Sequence, residues 1–144
     1  MDDAWRSIDD RLQAWFAAPS HAAGAALLDR IVVIAGRVVD VDVRGRGVRV
    51  QLDASDASLA PTITAAAGEL GLVAEPRRLQ SLRLVVETTD PDRVAPFWAL
   101  ALGYERRGDA LVDPAGRDLP LLLVRDREAR EHRERIHVDV VRPA

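Results

Sequence analysis

The second half of the chain constrains the fold most, because its elements have clear boundaries. Residues 82–89, "LRLVVETT", are rich in β-branched and apolar side chains and predict a β-strand. A helix is predicted to begin at Asp90 and Pro91, since an N-cap aspartate followed by proline is typical of a first turn. It is expected to end at Gly103. The apolar stripe predicted to pack this helix on its sheet consists of Val94, Phe97, Trp98 and Ala101.

Short strands are predicted after this helix, separated by residues typical of turns. The turns are Gly108-Asp109 and "DPAG" at 113–116. The predicted strands cover residues 104–107, 110–113 and 119–125, and "RIHVDVV" at 135–141 begins another. The predicted order is therefore β-α-β-β-β with one further strand, which we expect to have an unpaired, open edge.

That order, together with "TTDPDRVAPFWALALGYE" (88–105) and "LVDPAG" (111–116), resembles one module of the vicinal oxygen chelate superfamily, the glyoxalase and bleomycin-resistance-like proteins. The resemblance covers residues 82–144 and predicts a glyoxalase-like module over 77–144. In that family two such modules pair into a cupped sheet around a divalent metal or a small ligand. One module alone leaves the cup half built, and homodimerisation would supply the other half by symmetry.

The strand "RIHVDVV" looks like the first strand of a second module, where members of the family often place a metal-ligating histidine. His137 is at the matching position, and Asp139 shares its strand face because side chains alternate along a strand. A metal site usually needs three or more protein ligands, so two polar residues on a half-exposed strand are the favoured interpretation. If a metal does bind, Asp126 and Glu128 are candidates for additional ligands.

The first half predicts two helices. "SHAAGAALLDRIVVIAG" (20–36) is expected to form one continuous buried helix between a Ser20 N-cap and Gly36. "SLAPTITAAAGELGL" (58–72) predicts a second helix, with Pro61 in its first turn.

Strand patterns lie around these helices. "VVDVDVRGRGVRVQLD" (38–53) predicts a β-hairpin whose turn at 44–47 would explain both glycines. "RLQAWFAA" (11–18) is ambiguous, because its alternation favours a strand while its neighbours would tolerate a helix. We expect Trp15 and Phe16 to be core residues, although one of them would reach the opposite face if the segment is a strand.

This first half resembles a pterin-4a-carbinolamine dehydratase domain over roughly residues 5–75, which predicts a domain boundary near residue 76. Active dehydratases carry a His-His-Pro motif before the hairpin and another histidine after it. The matching positions, which hold no histidine, are Arg37, Val38, Val39 and Ser55. The predicted fold class is therefore α+β, a small dehydratase-like α/β sandwich followed by one β-α-β-β-β module.

Losing those histidines removes the groups suited to exchange protons near neutral pH, and valine cannot replace them. Dehydratase activity would require an aspartate with a raised pKa to take over that role. The aspartates near the matched positions are Asp40, Asp42, Asp53 and Asp56. Pterin dehydration therefore stays an alternative function.

Composition excludes several further classes. The chain has no cysteine, so any metal must use histidine and carboxylate ligands. A net charge of −3, with arginine and glutamate alternating in "RDREAREHRERI" (125–136), gives no surface for nucleic acid. No apolar run approaches a membrane span, and the acidic N-terminus is unlike a signal peptide, so we expect a cytoplasmic protein.

These observations favour a homo-oligomeric protein that binds a small molecule or carries out metal-assisted chemistry of the glyoxalase or dioxygenase type. Besides pterin dehydration, a non-catalytic structural or regulatory binding protein remains an alternative. The sequence does not identify the ligand, because a fold limits the reaction class only loosely.

Overall fold

The computed structural model describes residues 3–126 and 136–141. Glu128 and most of the arginine-rich stretch lie outside the described residues. The chain forms two compact units that divide between residues 81 and 82. Each unit combines a sheet with helices, which agrees with the predicted α+β class.

The first unit has an antiparallel sheet in the order β1-β2-β4-β3, with β5 also pairing with β2. Its elements are β1 (Trp5–Ile8), β2 (Arg11–Ala17), α1 (His21–Ala35), β3 (Asp40–Arg44), β4 (Gly47–Leu52), α2 (Ala60–Glu69) and β5 (Val73–Ala74). Two 3-10 segments, Ala54–Leu59 and Pro76–Arg78, lie between them. Both helices contribute to one core with the sheet, where Leu27 and Ile63 are fully buried beside Phe16.

Helix α1 has the predicted ends. The Ser20 hydroxyl accepts a hydrogen bond from the backbone N–H of Ala23 at 3.2 Å. Gly36 adopts a left-handed conformation (φ 62°) that ends the helix. The prediction of a buried helix was wrong, because Leu27 and Ile31 face the core whereas Val33 is 81% exposed. The helix therefore covers the sheet with one apolar face only.

Residues 11–18 form a strand, which resolves their ambiguity. Phe16 points into the core under the helices, as predicted. Trp15 lies on the opposite face of β2 and is only partly buried, so its assignment to the core was wrong. The alternation of a strand forces this outcome, because two adjacent residues cannot share a face.

The predicted hairpin joins β3 to β4, with Arg44 opposite Gly47. Neither Gly45 nor Gly47 has a positive φ, so the turn does not explain these glycines in the way expected. Gly47 is instead needed for packing, since a Cβ there would lie 2.6 Å from the indole ring of Trp15. The hairpin glycine therefore makes room for a side chain on the neighbouring strand.

The second unit has the predicted β-α-β-β-β order. Its elements are β6 (Ser81–Thr88), α3 (Pro91–Leu102), β7 (Glu105–Arg107), β8 (Ala110–Val112), β9 (Leu121–Arg125) and β10 (Ile136–Val141). The sheet order is β10-β6-β9-β8-β7, with β6 parallel to β9 and the β7-β8-β9 neighbours antiparallel. The predicted last strand is confirmed, but it pairs with β6, and only its outer edge has no strand partner among the described residues.

Helix α3 begins and ends where predicted. The Asp90 side chain accepts from the backbone N–H of Arg93 at 3.3 Å, and Gly103 (φ 69°) ends the helix. The predicted apolar stripe was partly wrong. Val94 and Trp98 pack against the core, but Phe97 is 65% exposed and Ala101 is also exposed. Buried positions on this helix include Pro91 and Ala95, so the face that meets the sheet is rotated from the predicted one.

Candidate functional site

His137 and Asp139 lie side by side on β10, at the edge of the second sheet. Their side chains are 44% and 51% exposed, and His137 Nε2 is 3.5 Å from Asp139 Oδ1. That distance is too long for a well-formed hydrogen bond, and the pair is an ion pair only when the imidazole is protonated. An imidazole nitrogen and a carboxylate oxygen therefore face solvent together.

The pair is not joined by further ligands in the part of the chain that the structure describes. Over residues 3–126 and 136–141, no group of three or more histidine, aspartate or glutamate side chains could hold a metal ion. Asp126, considered as an additional ligand, follows β9 and donates its backbone N–H to the Thr88 carbonyl at 2.9 Å. The described residues thus supply two adjacent donors of the kinds that divalent metals accept.

The positions matched to the dehydratase histidines lie between α1 and β3 and directly after β4. Val38 is 93% exposed, and Val39 is partly buried against the core. Arg37 forms an ion pair with the buried Asp56, whose carboxylate also accepts from the Ser55 hydroxyl at 3.3 Å. The structure therefore brings Arg37 and Ser55 together around one carboxylate.

All four aspartates considered as replacements for the histidines are paired with arginine. Arg11 holds both Asp40 (2.6 Å) and Asp53 (2.9 Å). The other pairs are Asp42 with Arg44 and Asp56 with Arg37. The carboxylate oxygens of these aspartates are therefore engaged by guanidinium groups.

Asp113 of the "DPAG" turn has a structural role. It is buried and accepts hydrogen bonds from the backbone N–H groups of Ala115 and Arg117, each at 2.9 Å. The Arg117 guanidinium also donates to it at 3.1 Å. This hydrogen bond, followed by those from the backbone, holds the pKa of Asp113 well below its usual range. The carboxylate therefore fixes the turn between β8 and β9.

Sequence reasoning missed Arg49, which lies opposite Trp15 in the register of β2 and β4. Arg49 is partly buried on the sheet face that the helices leave open. Its alternation with the core residues Val48 and Val50 was a signal in the sequence. That signal identifies a neighbour for Trp15 only when the strand register is known.

Comparison with known proteins gives one match. Residues 83–144 match the family model of a glyoxalase-like domain. The second unit resembles a glyoxalase-like domain. The match spans less than half of the chain and stops short of the first unit, whose resemblance to dehydratases stays a prediction. No curated protein and no solved structure matches the chain.

None of the described helices combines the length and the apolar composition needed to cross a bilayer.

Proposed function

We propose that the glyoxalase-like unit binds a small molecule with the help of a divalent metal, to which His137 and Asp139 contribute two ligands. The observation that carries this proposal is their juxtaposition on one exposed face of β10, with 3.5 Å between Nε2 and Oδ1. The strand also lies inside the segment that matches the glyoxalase-like family. Partly exposed ligands of this kind leave room for a substrate oxygen.

The donor set fits such a metal. Neutral imidazole and carboxylate are suited to Zn²⁺, Ni²⁺ and Mn²⁺, while the absence of cysteine excludes thiolate sites. When bound, a divalent ion would supply Lewis-acid polarisation of a carbonyl oxygen. The contribution of the chain is to hold the imidazole and the carboxylate on neighbouring positions of one strand.

We propose that a second copy of the chain supplies the remaining ligands. β10 is at the edge of its sheet, and an uncovered strand edge invites pairing with another strand. The neighbouring Ile136, Val138 and Val140 are each about half exposed, which leaves apolar surface for an interface. A symmetric dimer would contribute the same histidine and aspartate twice.

Calorimetric titration of the full chain with Ni²⁺ and Zn²⁺ tests this proposal. We expect saturable binding that falls at least tenfold in His137→Ala and in Asp139→Asn. His21→Ala is the matched control, since it removes an exposed histidine from the first unit. Equal affinity in the wild type and His137→Ala would overturn the assignment, as would the absence of binding in the wild type.

Pterin dehydration has weaker support. The positions Arg37, Val38, Val39 and Ser55 offer no imidazole, and the nearby aspartates are engaged by arginine. No contact among the described residues of the first unit favours proton transfer to a carbinolamine, so we do not propose it. A non-catalytic binding protein is expected to bind its small molecule equally well in the wild type and in His137→Ala. The same variant therefore separates this alternative from the metal-assisted function.

A further inference from the structure

The open face of the first sheet carries a row of three side chains across neighbouring strands. Trp15 on β2 is the Cα partner of Arg49 on β4, which is in turn the partner of Asp42 on β3. The opposite face of these strands holds Phe16, Val48 and other core residues beneath the helices. The row is therefore on the side of the sheet where α1 and α2 do not pack.

Arg49 is held in place by a neutral partner. Gln13 Oε1 accepts from Arg49 Nε at 3.1 Å and from Nη2 at 2.7 Å. Gln13 itself is 1% exposed, and its Nε2 donates to the Ile8 carbonyl at 3.1 Å. Because the Gln13 amide is hydrogen-bonded at both ends, the guanidinium of Arg49 has a defined orientation. Gln13 occupies only the edge formed by Nε and Nη2.

Among the described residues no carboxylate forms an ion pair with Arg49, and the nearby charge of Asp42 opposes the effect of burial on the Arg49 pKa without outweighing it. The carboxylate of Asp42, its neighbour across the strands, bonds to Arg44 at 2.7 Å. Burial is the main cause that lowers the pKa of Arg49, which shows that its charge is partly desolvated. The edge formed by Nη1 and the remaining Nη2 hydrogen keeps its donors for a ligand, and this fork matches a carboxylate.

A groove of about 230 Å³ lies over this row. Its lining residues are Trp15, Asp42, Arg44, Arg49, Arg78, Leu79 and Gln80. Three arginines against one aspartate make the groove positive, although Arg78 pairs with Glu75 as Arg44 does with Asp42. The volume is below the usual range for drug-sized ligands, so it suits a compound of one ring with a short substituent.

Trp15 supplies apolar surface in this polar groove, beside the buried Leu79. The indole packs over Gly47, where any Cβ would lie 2.6 Å from the ring. An aromatic surface beside a guanidinium suits a planar ring that carries an acid group.

We propose that this groove binds a small aromatic carboxylate, with the carboxylate on Arg49 and the ring against Trp15. A monoanion fits better than a phosphate dianion, because Arg44 and Arg78 are already paired and Arg49 is the lining arginine without an ion pair among the described residues. This site is independent of the function proposed for β10.

Titration of the full chain with benzoate, followed by calorimetry and by the indole N–H signals in NMR, tests the proposal. We expect binding that shifts the Trp15 signal more than those of Trp5 and Trp98. Benzamide, which has the same shape without the charge, and inorganic phosphate, which has charge without the ring, are each expected to bind at least tenfold more weakly. Equal binding of either probe would overturn the proposal, and so would no binding of benzoate at millimolar concentration.

Two variants test whether Arg49 supplies the positive charge that binds the carboxylate. Arg49→Gln removes the pair of parallel donors and is expected to lower benzoate affinity at least tenfold. Arg30→Gln, at an exposed position on α1, is expected to leave the affinity unchanged. Gln13→Glu keeps the shape of Gln13 but gives Arg49 an internal carboxylate, so it is also expected to abolish binding while the thermal unfolding midpoint shows a folded chain. Wild-type affinity in folded Arg49→Gln or Gln13→Glu would contradict the role of Arg49.

Discussion

The two sheets of this chain are covered to different extents. In the first unit α1 and α2 close a core whose largest members are fully buried: Trp5, Phe16, Leu27, Ile31, Leu52 and Ile63. Among the described residues of the second unit, the buried core cluster is smaller and consists of Val86, Ala95, Leu111, Leu121 and Leu123. Large apolar side chains are exposed on the helix and edge strand of the second unit, namely Phe97, Leu100, Ile136, Val138 and Val140. In the first unit the exposed ones are valines, Val32, Val33, Val38 and Val73.

Among the described residues, the first sheet therefore has the larger buried core, and the edge strand of the second keeps apolar side chains at its surface. Exposed apolar patches of this kind mark interaction surfaces or ligand-binding grooves.

The two phenylalanines of the chain test this comparison with the largest expected effect. Phe16→Ala removes a fully buried ring that packs edge-on against Trp5, so we expect a loss of about 3–5 kcal/mol in unfolding free energy. Phe97→Ala removes an exposed ring and is expected to change it by less than about 1 kcal/mol. Urea denaturation followed by tryptophan fluorescence measures both, because Trp5 and Trp98 adjoin the two sites. Similar losses in the two variants would contradict the comparison.

Two glycines sharpen the description of the first sheet. Gly47→Ala places a Cβ 2.6 Å from the Trp15 ring and is expected to destabilise the chain by about 1–3 kcal/mol. Gly68→Ala, in α2 with open space around it, is expected to stabilise by about 0.5–1 kcal/mol. Thermal unfolding of both variants checks the signs. A neutral Gly47→Ala would show that the indole is not held against this strand.

The smallest effect concerns the acid sensitivity of the second unit. Because folding lowers the pKa of Asp113, its contribution to stability is fully present above the unfolded value near pH 4 and is lost as the pH falls below it. Asp113→Asn is expected to lower the thermal unfolding midpoint at pH 7 and to make it fall less steeply below pH 5. Asp109→Asn, an exposed position in the neighbouring turn, is the control. An unchanged pH profile in Asp113→Asn would contradict the role of this turn.

Much of the fold could be predicted from local signals. The helices α1 and α3 begin and end as expected, because caps depend on a few neighbouring residues. Their N-caps are Ser20 and Asp90, and their C-caps are Gly36 and Gly103. Val94 and Trp98 could face the sheet together with Phe97 or together with Ala95. The sequence alone does not decide between these two helix faces, because the sheet beneath α3 determines which one is buried.

The two proposed sites also differ in how far the sequence predicts them. The shared face of His137 and Asp139 follows from the alternation of a strand and could be predicted. The pairing of Trp15 with Arg49 depends on strand register and on which sheet face the helices cover. These are long-range properties, so neither the groove nor the position of Trp15 outside the core could be deduced locally.

Native mass spectrometry of the full chain titrated with Ni²⁺ tests the central claim most directly, because it measures metal stoichiometry and assembly together. We predict that the metal appears in a species of twice the 15.8 kDa chain mass, at one ion per two chains, and that this species is lost in His137→Ala. A metal-bound monomer as abundant in His137→Ala as in the wild type, or no bound metal in the wild type, would contradict the account.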